Sequence, residues 1–229
     1  EGEQAATPAA QKAKTLESVT VTARKREETL QDVPIAVRAF TADSLDKLNI
    51  QDIGDLGTQV PNMTIYAARG SNTTITAYIR GVGQSDPLWG VDPGVGLYLD
   101  DVYLARPQGA LLDVLDVERV EVLRGPQGTL YGKNTIGGAI KYVTRALSPE
   151  FNGFGSVTIG NYGQRDFKLG LGGGLGSDYL RARITAASLS RDGFGENIRT
   201  GDQVSNKDIK VVRAQLGAYV TDDFDIQFA

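Results

Sequence analysis

The stretch Leu180-Arg181-Ala182-Arg183-Ile184-Thr185-Ala186 decides the fold, because every second residue is apolar and those between are charged or polar. A period of two marks a strand whose two faces meet different surroundings. The pattern recurs on both sides. In Asp166–Leu175 the apolar residues Phe167, Leu169, Leu171 and Leu175 alternate with Asp166 and Lys168. Val212, Ala214, Leu216, Ala218 and Val220 alternate with Arg213, Gln215 and Tyr219, and Phe224, Ile226 and Phe228 with Asp223, Asp225 and Gln227. With Gly153–Asn161 these give about five strands, most about ten residues long. Asn161-Tyr162-Gly163, Gly176-Ser177 and Thr221-Asp222 read as tight connections, whereas Arg191 to Asn206 is long and polar.

Two surfaces can take up such strands. A soluble sandwich buries one face in a protein core; a membrane barrel turns that face to lipid and keeps the polar face in a wet lumen. Ten residues at ~3.3 Å rise, tilted about 40°, span roughly 25 Å, the height of an outer-membrane barrel's apolar band. That length, the Gly-rich run from Gly170 to Gly176 and the short turns opposite a long loop favour the barrel. Five strands cannot close, and an open edge in lipid leaves backbone groups unpaired. On the barrel reading the chain is therefore the front portion of a longer one.

Composition narrows the function. Lys plus Arg total 24 against 28 Asp plus Glu, so no basic face invites nucleic acid. There is no Cys and no His, and so no thiol nucleophile, thiolate metal site or imidazole base. No catalytic residue, metal site or cofactor is expected. No run of eighteen apolar residues suggests a transmembrane helix, and Glu1-Gly2-Glu3-Gln4 does not read as a signal peptide. An exported chain without its leader and a cytosolic chain would both look like this.

Residues 1–15 have almost nothing to bury and read as disordered. Residues 16–32 hold the alternating segment Glu17-Ser18-Val19-Thr20-Val21-Thr22-Ala23 and a charge run. Residues 33–146 read as a compact α+β domain. It has strand candidates at Val33–Val37, Thr73–Ile79, Val95–Leu99, Val117–Leu123 and Ala139–Thr144, a helix over Thr41–Asn49 and a short one over Asp52–Thr58. The strand region fills 147–229.

Several sharper motifs fail. Around Gly128–Asn134 the first Gly of a phosphate loop is Gln127 and the hydroxyl position is Asn134. Gly81-Val82-Gly83 lacks the third Gly of a dinucleotide fingerprint. Asp100 and Asp101, as neighbours in an alternating strand, face opposite ways and should not share a site.

Ile79-Arg80-Gly81, Gly94–Tyr103, Val117–Gly132 and Gly137–Ile140 resemble, in order and spacing, the plug of TonB-dependent outer-membrane receptors. The resemblance covers roughly residues 16 to 229. It implies an α+β plug inside a transmembrane antiparallel β-barrel of 22 strands, of which about five are in this chain. It implies residence in the outer membrane of a Gram-negative bacterium, among lipid and lipopolysaccharide.

The same resemblance makes Glu17, Ser18, Val19, Thr20, Val21, Thr22 and Ala23 a TonB box, gripped from the periplasm by the TonB energy transducer. An extended segment with unlike faces can be captured as an added edge strand, and disorder before it leaves it free for capture. Arg80 and Arg124 resemble the plug arginines that pair with barrel carboxylates. Outward plug loops would place Tyr66, Arg69, Gln84, Ser85, Asp86, Leu88 and Trp89 toward a ligand. Trp89 fits equally a ligand stack or a hydrophobic anchor on the wall.

The implied function is energised, non-enzymatic uptake of a scarce solute, with ferric siderophores first and carbohydrates or other organic nutrients as the alternative. Haem is disfavoured because the plug offers no His or Cys. A soluble secreted β-rich binding module is the competing class. It requires Leu169, Ile184 and Leu216 to share a buried core.

Overall fold

The structure, a computed structural model, describes residues 19–68, 74–85, 90–106, 115–177, 179–221 and 224–229. Residues 1–15 lie outside these, so their disorder is not addressed. Two bodies of unlike design follow one another.

The first is built on a five-stranded mixed sheet. A small antiparallel pair, β1 (Thr20–Val21) and β2 (Glu28–Thr29), precedes it. Then come β3 (Ala36–Thr41), α1 (Ala42–Lys47), a 3₁₀ helix over Ile53–Thr58, and the hairpin strands β4 (Met63–Ala67), β5 (Ile75–Ile79) and β6 (Val82–Gly83). Next are β7 (Val95–Leu99), β8 (Val102–Tyr103), β9 (Val117–Arg124), α2 (Gly128–Tyr131) and β10 (Gly138–Thr144). The main sheet runs β3-β9-β10-β7-β8, with β10 parallel to β7 and antiparallel to β9. β4-β5-β6 form a separate small sheet.

Local chemistry starts the helices where the sequence suggests. The Thr41 hydroxyl accepts from the Ser44 N–H and caps α1; Asp52 and Asp55 form a reciprocal capping box on the 3₁₀ turn. The first strand begins three residues later than expected, at Ala36, and β4 was not anticipated. Side-chain alternation on β9 and β10 then sorts two cores. Val120, Val122 and Ile140 pack with Phe40, Leu45, Ile53, Leu56 and Ile79 on one face. Leu123 and Ala139 pack with Val21, Ala23, Tyr98 and Tyr131 on the other.

The second body is one antiparallel sheet in the order β11-β12-β13-β16-β17. Its strands are β11 (Asn152–Ile159), β12 (Arg165–Ser177), β13 (Leu180–Arg191), β16 (Lys207–Thr221) and β17 (Phe224–Phe228). The long loop between β13 and β16 carries a miniature hairpin, β14 (Gly195–Glu196) with β15 (Gln203–Val204), which the polar composition concealed.

The two faces of this sheet are opposite in character. Leu169, Ile184 and Leu216, which a soluble module would bury together, are 52%, 53% and 43% exposed. Phe167, Leu171, Leu175, Val212, Val220, Phe224, Ile226 and Phe228 extend the same bare apolar surface. The inner face holds Asp166, Arg183 and Thr185, all buried, because the first body sits against it. On β16 the outward run is apolar from Val212 to Val220 and polar beyond, at Asp208 and Lys210. Nine residues at ~3.3 Å and about 40° tilt make that band roughly 23 Å tall. Leu169, Ile184 and Leu216 therefore share no buried core, and among the described residues nothing covers the apolar side of this sheet.

Candidate functional site

Three sets of contacts converge on the plug-like body. The first involves the segment before β2. Glu17 and Ser18 lie outside the described residues. From Val19 onward the segment is not free but docked: β1 pairs with β2, and the Leu30 N–H donates to the Val19 carbonyl. Val21 and Ala23 are wholly buried in the second core, whereas Thr20 faces out.

Thr22 is the centre of a buried polar cluster. Its N–H donates to Glu121 Oε1 at 2.8 Å, and its hydroxyl accepts from Lys141 Nζ at 2.6 Å and Arg119 Nη2 at 3.2 Å. Glu121 and Lys141 face each other across β9 and β10, so the sheet register itself presents this pair to Thr22. Arg119 Nε holds Glu121 Oε1 at 2.7 Å, and the Tyr131 hydroxyl donates to the Ala23 carbonyl at 2.9 Å. Burial, then the nearby Glu121 carboxylate, pushes the Tyr131 phenol far above its ordinary value, so it stays a donor. Glu121 Oε2 is buried without a hydrogen-bond partner among the described residues. Release of the segment must break these polar bonds and also withdraw Val21 and Ala23 from the second core.

The second set fastens this body to the inner face of the strand sheet. Asp116, just before β9, receives Arg183 through Nε at 2.5 Å and Nη2 at 2.6 Å, and the Thr185 hydroxyl. Arg145 Nε approaches the same carboxylate at 3.6 Å. Side chains of Asp116 and Arg183 are 3% and 2% exposed, so the pair is dry. Arg213 Nη2 on β16 donates to Asp100 Oδ2 at 2.6 Å, and Arg181 Nη1 donates to the Leu147 carbonyl at 3.1 Å. None of these wall contacts was singled out from the sequence. Arg181 and Arg183 carried a signal, as cations on the polar face of alternating strands; Asp116 carried none.

Asp100 and Asp101 occupy a tight turn between β7 and β8, not a strand, with φ of 45° and 68°. Their carboxylates still diverge. Asp100 accepts from the Thr144 N–H at 2.7 Å and from Arg213; Asp101 accepts from Lys25 at 2.6 Å and Lys141 at 2.9 Å. Burial alone would raise the Asp101 carboxyl, but the hydrogen bonds and charges of Lys25 and Lys141 hold it below its ordinary value. Among the described residues no cluster of three His, Cys, Asp or Glu could hold a metal.

The third set is the expected ligand-facing group. β4 and β6 both flank β5 antiparallel, which brings exposed Tyr66 and the Gln84–Ser85 loop to one end of the small sheet. Arg69, Asp86, Leu88 and Trp89 lie outside the described residues. Arg80 is exposed in the turn between β5 and β6 at φ 53°. Its Nη1 lies 3.2 Å from where a side chain on Gly125 would begin, so the Arg80 and Arg124 turns meet. Arg124 Nε is buried without a hydrogen-bond partner among the described residues.

Known proteins match this arrangement. The family model "TonB-dependent Receptor Plug Domain" covers residues 29–139. The iron-regulated outer membrane virulence protein of Vibrio cholerae is 30% identical over 61% of this chain and 22% of its own length. The vitamin B12 transporter BtuB of Vibrio vulnificus is 23% identical over 82% of this chain and 30% of its own. Thus the chain spans less than a third of the length of these curated relatives. Among solved structures, the ferric yersiniabactin uptake receptor FyuA of Yersinia pestis superposes with a TM-score of 0.70. It is 27% identical, over 80% of this chain and 29% of that one. Residues 29–139 thus match the plug domain of TonB-dependent receptors, and the chain as a whole is similar to receptors of the Gram-negative outer membrane.

Proposed function

We propose that the chain is the plug and first wall strands of an importer that carries a scarce solute, most readily a ferric siderophore, through the outer membrane. The carrying observation is the bare apolar face of β11–β17 opposite an inner face ion-paired to the plug. In this reading the sheet continues into a closed barrel of 22 strands, its outer face against lipid and lipopolysaccharide. Residues 1–15 form the leading tail, 16–32 the TonB box and linker, 33–146 the plug and 147–229 the opening of the wall.

Residues 17–23 are where TonB takes hold, and the docked Thr22 is the resting state of that handle. Binding of solute above must change how often the handle is released, because a ligand with no preference between docked and undocked states shifts neither. Tyr66, Arg69, Gln84, Ser85, Asp86, Leu88 and Trp89 line the approach from outside. Arg80 and Arg124 await carboxylates of the barrel, a role that suits the partnerless Arg124 Nε. The work is transport without covalent chemistry.

The siderophore reading draws on the likeness to the ferric yersiniabactin uptake receptor; the resemblance to a vitamin B12 transporter favours an organic nutrient as the second reading. The test uses the full-length receptor in iron-starved cells given radiolabelled iron in their own spent medium, with labelled vitamin B12 as the other arm. Uptake of iron should stop when a protonophore is added or residues 17–23 are deleted. Unchanged uptake by a deleted receptor that still reaches the membrane overturns the proposal.

A further inference from the structure

The turn between β7 and β8 touches both the wall and the handle. Asp100 is held by Arg213 of β16 and by the Thr144 N–H and hydroxyl, at 2.6, 2.7 and 2.8 Å. Its neighbour Asp101 holds Lys25, two residues past Ala23, and Lys141, whose ammonium also grips the Thr22 hydroxyl at 2.6 Å. The turn is stiff: both residues sit at positive φ, and the Asp100 N–H donates to the Tyr142 carbonyl at 2.9 Å. Both carboxylates ride on this one tethered two-residue turn, so a shift of its backbone moves the two together. Lys25 Nζ further rests 4.6 Å from the Tyr131 ring centre, and Tyr131 donates to the Ala23 carbonyl.

We propose that Asp100 and Asp101 form a coupling joint through which the position of wall strand β16 sets how firmly the segment around Thr22 is docked. Asp100 and Asp101 are positioning residues, acting through Arg213 on one side and through Lys25 and Lys141 on the other. The proposal rests on the import reading for its purpose, but not for its measurement.

Residues 1–229 hold no cysteine, so once any thiol in the rest of the receptor is replaced, a Thr20→Cys nitroxide label reports docking at an outward position of β1. The label is read in the full-length receptor in lipid vesicles without solute or TonB. Asp101→Asn should raise the mobile fraction about tenfold, since it removes two charge-assisted bonds. Arg213→Gln, a change on the wall alone, should raise it about threefold, because that pair is partly solvated. Arg213→Lys should restore docking, and Arg213→Gln with Asp101→Asn should add little beyond Asp101→Asn alone. A control label at exposed Ile136→Cys should not respond. The joint is overturned if Arg213→Gln leaves the Thr20→Cys spectrum unchanged, if the two substitutions multiply independently, or if Ile136→Cys loosens equally. Deletion of residues 17–23 tests import separately, so either idea can fail while the other stands.

Discussion

Replacing Arg183 by Met should dislodge the plug from its wall at a cost set by the charge left behind. Asp116 and Arg183 are both nearly inaccessible and share two short hydrogen bonds. Removing one partner of such a pair costs about 3–5 kcal/mol, mostly the penalty of stranding the other. Asp116 keeps the Thr185 hydroxyl and a looser approach from Arg145, which is 43% exposed. The expected loss is therefore at the lower end, about 3 kcal/mol. Adding Asp116→Asn removes the stranded charge and should return all but about 1 kcal/mol. The assay is urea unfolding of the plug within the full-length receptor in micelles, followed by a nitroxide at Ile136→Cys. A shift below ~1 kcal/mol for Arg183→Met, or a double variant equal to the sum of the singles, would refute the reasoning, since contacting residues must couple.

Other outcomes follow from particular positions. Gly138→Ala should unfold the plug sheet, because a Cβ there meets the Leu123 carbonyl at 2.2 Å with φ at 149°; loss of plug protection in hydrogen exchange checks it. Ile184→Arg should weaken insertion into lipid vesicles by about 2–4 kcal/mol if it lies near the bilayer midplane, while Ser190→Arg nearer the loop end costs less. Asp101 is held below its ordinary pKa, so its contribution to docking is complete above ~4 and lost only as pH falls through its lowered value. Tyr131 is raised, so its contribution is complete below ~10 and declines as pH climbs past that. Thr20→Cys label mobility should accordingly be flat from pH 5 to 9 and rise at both extremes.

The wall was legible because a two-sided environment forces a two-residue period, and Phe167 to Leu175 or Val212 to Val220 carry nothing that competes with it. Helix starts were legible at Thr41 and Asp52, where capping is a matter of adjacent residues. β4 is hard to read from sequence because Met63–Ala67 is short and follows Pro61 and Asn62, residues that favour turns. The contacts that organise the site could not be read. Thr22 and Glu121 are 99 residues apart, and Asp116 and Arg183 are 67. Only the sheet register and the seating of one body in the other bring them together. Asp100-Asp101 misled for a different reason: Asp-Asp is a weak hairpin signal beside Asn-Gly, so two residues that turn the chain passed for strand.

The sheet order β3-β9-β10-β7-β8 puts at its centre the strand that the ribosome makes last. Until Gly138–Thr144 emerges, β7 and β9 have no common partner, so the globule cannot ripen piecemeal from its beginning. The same strand runs on, after seven residues, into β11. Should the earlier strands be drawn away, β10 stays moored as a template on which they can reassemble, and resetting becomes annealing onto a fixed rail rather than folding anew.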